Sequence, residues 1–468
     1  MRSGLVRMMG IVLCTAAIPA VCTMSMLAQK AAQPDAYLWN NRPTDPRFKA
    51  DILLVVAHPD DEIMVTPYLA REIYENHKRV AVVYGTRGEG SNNEVGAEQS
   101  IAMRDIRDIE GRTAVGSLGI TNVWFLPGHD NANQNVLTSL ERWGDGECLE
   151  ELIRIVRLTR PSVILTFLPD FTTGENHADH QAAGVLATEA FDWAGDPTMF
   201  PEQVSPAENP DMNMNLTEGL RPWQPEKIYY FYNPTHDIFE GQGPQYSSSE
   251  ISPSQHVSYG RLAAESFEHH QTQGGAKILA REQANADDKD GDLRRSPVKL
   301  IFGKSLVPSG VTDDVFAGVV PDGVAFQRAP GYTPAQYSVP TMHVGDPWNF
   351  YQEFWKAHGL QHLNNVVPLE ITVKVGGGFW IPLIMDNPLD RPVEINLSVQ
   401  APDGWKVEPT APATIDAHSR YYLRVRIAAP DTQLPGWQQF TVVGRSGDEA
   451  IGTVAIRAQL SAGWVAPQ

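Results

Sequence analysis

The chain has 468 residues, of which 42% are hydrophobic and 20% charged. This globular balance excludes a disordered or collagen-like protein, and the length exceeds one ordinary domain. A formal net charge of −19 argues against nucleic-acid phosphates and anionic membrane surfaces as partners.

Residues 1–28 stand apart. Arg2 and Arg7 precede the apolar stretch "MGIVLCTAAIPAVCTMSMLA", which closes on small residues at Ala28. A basic start, an apolar middle and a small-residue end resemble a secretory signal peptide, so export to the periplasm or the outside is expected. One alternative is an uncleaved membrane anchor, which Pro19 disfavours. Another is a lipoprotein acylated on Cys22, which Val21 in "PAVC" disfavours. Cleavage would take 37 basic residues to 35 against 56 acidic, leave no integral membrane span, and leave Cys148 alone. The mature protein could then have neither an internal disulfide nor a cysteine-based zinc site.

Residues 29–50 read as a polar lead-in. From residue 51, short apolar runs alternate with helical patterns. The runs are "DILLVVA" (51–57), "RVAVVYG" (79–85), "TNVWFLPG" (121–128), "SVILTFL" (162–168) and "EKIYYFY" (226–232). Helices are expected over "MVTPYLAREIYENHK", 94–119, 146–160, 176–195 and 259–275. This alternation predicts an α/β domain over 51–304, with a Rossmann-like, mainly parallel sheet and helices on both faces. Residues 305–365 read as a linker or wrapping segment whose only helical piece is "GDPWNFYQEFWKAHG". From 366 to 468 the pattern turns to alternating strands, predicting an all-β immunoglobulin-like sandwich. The acidic run "DDKDGD" (287–292) lacks EF-hand spacing and reads as a solvated turn.

In a parallel α/β sheet, ligands bind beyond the carboxyl ends of the strands. "HPDDE" (58–62) follows the first strand there, and "NHADH" (176–180) follows the fourth. Pro59 restricts the turn, so His58 and one neighbouring aspartate can reach one metal while the other aspartate stays free. His177 and His180 lie at i and i+3, on one helical face. Two histidines, a carboxylate and an open position fit a catalytic zinc ion, because imidazole favours zinc over magnesium or calcium. A single such cluster is more often a helix cap; two clusters at one sheet edge favour the metal. Zinc lowers the pKa of water, and a free carboxylate nearby can take its proton.

"AHPDDE" (57–62) and "HADH" (177–180) resemble the PIG-L/LmbE family of zinc-dependent N-deacetylases. "TRGEG" (86–90), "RDIEGRTAVGSLG" (107–119) and "EHHQTQ" (268–273) follow in the family's order, with Thr272 where the family has serine. The resemblance covers roughly 50–280. It implies one zinc per chain, with His58, Asp61 and His180 as ligands, Asp60 as general base, and His177 as oxyanion stabiliser or acid. It also implies substrate contacts for Arg107 and Asp130, although Arg107 could equally pair with nearby acids. Glu62 is expected to support the metal site or the helix start. Arg87 and Glu89 stand at the rim, and His129, His236, His269 and His270 are not expected as primary ligands. The expected substrate is a small molecule or glycan carrying an N-acetyl group. The alternative is a non-catalytic carbohydrate-binding protein with a degenerate site. "APDGWKVEP" (401–409) and "PLIMDNPLDRPVEINLSV" (382–399) resemble the NEW3-type domain of secreted carbohydrate-active enzymes. Trp405 and Trp437 would contact sugar there if exposed; packing is the plainer reading.

Overall fold

The computed structural model describes residues 44–144, 146–170, 177–205, 218–232, 241–284, 297–333, 336–364, 366 and 369–463. The leader with Cys22, His236 and the "DDKDGD" run lie outside them. Among the described residues, no helix is long and apolar enough to cross a membrane.

The first unit runs β1 (Ile52–Val56), α1 (Thr66–Tyr74), β2 (Val80–Tyr84), α2 (Ile101–Ser117), β3 (Asn122–Phe125), α3 (Val136–Arg142), α4 (Glu147–Thr159), β4 (Val163–Phe167), α5 (Ala178–Trp193), α6 (Pro201–Val204) and β5 (Lys227–Phe231). It continues with β6 (Gln245–Tyr246), α7 (Tyr259–Phe267), α8 (Gly275–Ala284), β7 (Val298–Lys299) and β8 (Ile301–Ser305). Its six-stranded sheet has the order β3-β2-β1-β4-β5-β8. All pairings are parallel except β5 with β8. Every residue of β1, β2, β4 and β5 is buried, because helices cover both faces and water reaches neither. One face packs Tyr68, Leu69, Val115 and Leu262 of α1, α2 and α7. The other packs α4 and α5. The strand order reverses between β1 and β4, so the crevice beyond their carboxyl ends is where a ligand site is expected.

The rest of the chain forms β9 (Thr341–Val344), α9 (Asp346–Ala357), β10 (Glu370–Lys374), β11 (Gly378–Asn387), β12 (Val393–Gln400), β13 (Lys406–Val407), β14 (Ala413–Ile415), β15 (Ser419–Ala428), β16 (Gln438–Ser446) and β17 (Glu449–Ser461). Two sheets result, β10-β17-β16-β12-β14 and β13-β15-β11-β9. The fold is therefore an α/β domain with a parallel-dominated sheet, followed by an all-β sandwich. Trp405 is 7% exposed and packs edge-on against Phe379 and Phe440, so it belongs to the sandwich core. Trp437 is half-buried, with Arg457 over its ring at 5.7 Å.

The expected linker needs correction. β9 pairs with β11, so the sandwich begins inside the segment 305–365. α9 then fills the seam between the two units. Tyr351 donates to Gln181 Oε1 at 2.5 Å, and Trp355 meets the Tyr230 ring edge-on. One continuous apolar cluster runs from Ala50 through Trp355 to Leu460.

Glu72 on α1 is 1% exposed. Its Oε1 accepts from Asn76 at 3.0 Å, while Oε2 has no partner. Burial pushes this carboxyl up to about 7, against the Asn76 bond and with help from Asp314. A raised carboxyl pKa means that the folded state holds the proton more tightly than the unfolded chain. Stability from this group is therefore full below pH 4.5 and is lost as pH rises through 7. Glu72→Gln, which keeps the Asn76 acceptor, should raise unfolding free energy at pH 8 by about 1–3 kcal/mol and leave it unchanged at pH 4.5. Urea unfolding at both pH values tests this; equal midpoints at pH 8 would refute it.

Candidate active site

The turn after β1 is built around Asp61. Its Oδ2 accepts the backbone N–H groups of Ala57 at 3.1 Å and His58 at 2.7 Å. Its Oδ1 then faces His180 Nε2 at 3.1 Å, while His58 Nδ1 stands 3.4 Å from Oδ2. One carboxylate thus touches both histidines. His180 is brought there by close packing of α5 on β4. Gly184 lies so near the strand that a Cβ would meet Phe167 O at 2.3 Å. This approach lets the His180 ring stack flat on Phe167 at 4.2 Å.

His177 caps α5: its Nδ1 accepts the Asp179 N–H at 3.4 Å. Its ring centroid lies 4.1 Å from that of His180 and 5.1 Å from that of His58. One ring nitrogen from each of His58, His177 and His180 falls within 4.8 Å of the others. A second three-donor set, His58, Asp130 and Asp179, meets the same limit. His58 belongs to both, and its Nε2 lies 3.4 Å from Asp130 and 3.5 Å from Asp179. Converging imidazole nitrogens and carboxylate oxygens are a donor set that fits a divalent cation.

Charges here are tightly matched. Burial works against a charged His58, yet Asp130 and Asp61 hold its imidazole well above the usual range. Burial likewise opposes ionised Asp61, but His180 and His58 keep its carboxyl well below the ordinary value. His177 is held well below the usual imidazole range by burial, then by His180 and His58.

Asp60 is set differently. Its backbone has φ 121°, an uncommon conformation for a residue with a side chain. Three contacts hold it. Its N–H donates to Glu62 Oε2 at 3.0 Å. Its carboxylate meets Arg107 Nη2 at 3.0 Å, and the same Nη2 donates to Pro59 O. Burial raises the Asp60 carboxyl pKa, and Asp61 adds to the rise against Arg107.

Arg107 is 1% exposed, with Nη1 donating to Gly88 O at 2.9 Å and Ser91 Oγ at 2.6 Å. The expected substrate contact for Arg107 therefore has no open surface here. Every bond the guanidinium makes braces the turn from behind. Asp130 is also engaged: Oδ2 accepts the Gly90 N–H at 2.8 Å, and Oδ1 faces His58 Nε2 at 3.4 Å. Glu62 is buried, and its Oε1 meets His270 Nε2 at 2.5 Å. One turn beyond Arg107, Glu110 accepts from Thr272 N and Oγ1 at 2.9 and 2.6 Å. The "HHQT" stretch thus buttresses the "HPDDE" turn.

Asp179 was not singled out as a candidate from sequence, although it sits inside "HADH". It is fully buried and accepts from Asn131 N, Asn131 Nδ2 and Ser139 Oγ at 2.9, 2.7 and 2.5 Å. A buried acid at the start of a helix was the available signal. Arg87 pairs with Asp108 at 3.1 Å, and Glu89 lies 3.5 Å from the exposed His129.

Residues 53–191, which carry all eight expected site residues, match the family model PIG-L, described as GlcNAc-PI de-N-acetylase. This part of the chain is a PIG-L domain. Relatives of the PIG-L domain include a 1D-myo-inositol 2-acetamido-2-deoxy-alpha-D-glucopyranoside deacetylase 1 from Catenulispora acidiphila. That protein is 26% identical over 236 residues, 46% of this chain and 65% of its own length. A deacetylase 2 of the same description from Frankia alni is 33% identical over 171 residues, 33% of this chain and 57% of its own length. The chain thus spans less than two thirds of these relatives. Among solved structures, N,N'-diacetylchitobiose deacetylase from Pyrococcus horikoshii is 17% identical with a TM-score of 0.35, covering 54% of this chain and 83% of that one.

Proposed function

We propose that this chain is an exported, zinc-dependent N-deacetylase that removes acetyl from an N-acetylglucosamine-type amide. The observation that carries this reading is the convergence of "HPDDE" and "HADH", with Asp61 touching both His58 and His180. The relatives' printed activity on a 2-acetamido sugar points to the same bond, and the leader-like residues 1–28 support export.

His58, Asp61 and His180 would hold the ion. The carboxylates beside His58 Nε2 leave Nδ1, on the Asp61 side, as its donor, in the manner of carboxylate–histidine–metal sites. Bound zinc would polarise the acyl carbonyl and make water easier to deprotonate. Asp60 takes the proton from the attacking water, whose oxygen bonds to the acyl carbon. The C–N bond then breaks and acetate leaves. His177 stabilises the oxyanion: with Nδ1 accepting from Asp179 N, Nε2 bears the proton of its neutral ring and donates it as a hydrogen bond to the acyl oxygen, while the proton taken up by Asp60 passes to the departing amine. Arg107, Glu62 and His270 hold the strained Asp60 backbone in place, and Asp130 with Asp179 orients His58.

The test is release of amine and acetate from N-acetylglucosamine, its inositol glycoside and N,N'-diacetylchitobiose. Turnover is expected on at least one of them, abolished by chelator and restored by zinc. No amine release from any acetamido sugar by zinc-loaded protein would refute the assignment.

A further inference from the structure

A cavity of about 990 Å³ opens between α5, α9 and the outer face of β11 and β15. It is not an extension of the histidine site. Glu189 on its wall follows His180 along α5 by nine positions, about 13 Å of rise and two and a half turns, which puts the two on opposite sides of the helix. α9 and the His358 that caps its C-terminus contribute a stripe at helical spacing: Phe350, Glu353, Phe354, Ala357 and His358. Phe350 stacks on Phe354 at 5.9 Å. Trp193 closes one wall, and Tyr422, 66% exposed, stands on the sandwich side.

The charges on the walls are unequal. Arg328 pairs with Asp196 at 3.1 Å, Arg420 with Asp386 at 2.7 Å, and Asp346 with Arg424 at 3.0 Å. Asp192, one turn beyond Glu189, is met by both Lys304 at 2.6 Å and His358 at 2.7 Å. Glu189 and Glu353 have no ion pair among the described residues, and Glu353 Oε2 is buried without any partner. Burial, then Asp192, pushes the Glu189 carboxyl up to about 7. The lining arginines, Arg328 and Arg420, are already paired and offer an anion little, and a neutral ligand would leave both carboxylates unanswered. A cation would satisfy them, and aromatic rings attract both a cation and the C–H face of a sugar ring.

We infer that this interdomain cleft binds a saccharide bearing protonated primary amines, with Glu189 and Glu353 as the amine partners and Tyr422 as a stacking platform. Amine-bearing sugar is the product of the proposed deacetylation. The link between the two sites rests on that reading; the binding claim does not.

Calorimetric titration of the full chain with three probes lacking acetyl groups tests it: a β-1,4 glucosamine disaccharide, cellobiose and 1,4-diaminobutane. The glucosamine disaccharide should bind at least about 10-fold more tightly than either other probe, since carboxylate–ammonium contacts are missing from cellobiose and the sugar faces that meet Tyr422 are missing from the diamine. Glu189→Gln with Glu353→Gln should erase the preference over cellobiose while turnover of an acetamido sugar persists. Tyr422→Ala, at an exposed position that folding tolerates, should weaken binding of both sugars. Equal binding of the glucosamine disaccharide and cellobiose would overturn the assignment of an amine ligand. A preference that survives the double variant would overturn the two carboxylates, and equal binding of the diamine would overturn the saccharide. Because no probe is a deacetylation substrate, failure of the deacetylase reading would show in the amine-release assay and leave these results intact.

Discussion

Asp60→Asn is expected to lower turnover of an acetamido sugar by about 10²–10⁴-fold, the usual weight of a lost general base, while bound zinc stays at wild-type stoichiometry. The substitution removes a charge and little else. Asparagine tolerates positive φ better than most residues, so the φ of 121° gains no new strain. The backbone N–H still donates to Glu62. Arg107 keeps Gly88 O, Ser91 Oγ and Pro59 O as acceptors, so its buried charge is not left unanswered. The measurement is kcat by amine release together with metal content by elemental analysis. Loss of metal along with turnover would make Asp60 a ligand and Asp61 the candidate base. Unchanged turnover would remove Asp60 from the chemistry.

Asp60 and Asp61 also show what sequence reveals and what it conceals. Strands β1, β2, β4 and β5 are legible because burial on both faces leaves them as unbroken apolar runs. The clusters that follow β1 and β4 are legible because sheet topology puts strand ends together whatever lies between. β8 and β9 are not legible. "IFGKS" and "TMHV" mix polar and apolar residues without a clear period, and their strand character comes from the partners β5 and β11. The supports of the turn are hidden for a related reason. Glu62 and His270 are 208 positions apart, and no spacing rule joins them. A substrate contact for Arg107 came from the family resemblance, with pairing to nearby acids as the alternative. Only the fold reveals that its two terminal nitrogens are held by Pro59, Asp60, Gly88 and Ser91. Asp179 was overlooked because two histidines flank it, yet it accepts three hydrogen bonds.

The engagement of Asp179 decides how the metal-binding prediction is framed. Two donor sets share His58, so His58→Ala should cost affinity for zinc whichever set is used, by more than about 100-fold, with turnover falling to background. The sets separate on their other members. Asp179 already accepts three hydrogen bonds, and a fourth partner would have to compete with them. His180 belongs to the other set, and its Nε2 faces Asp61 Oδ1 at 3.1 Å. His180→Ala should therefore lose zinc as His58→Ala does. Asp179→Asn should keep it but unfold more readily, by about 1–3 kcal/mol, because an amide N–H₂ would then face the donors Asn131 and Ser139. Zinc titration by competition with a chromogenic chelator, run beside thermal unfolding of each variant, reads both quantities. The opposite pattern, with zinc retained in His180→Ala and lost in Asp179→Asn, would move the ion to the His58, Asp130 and Asp179 set. In that case His177 and His180 would be left as the proton-handling pair.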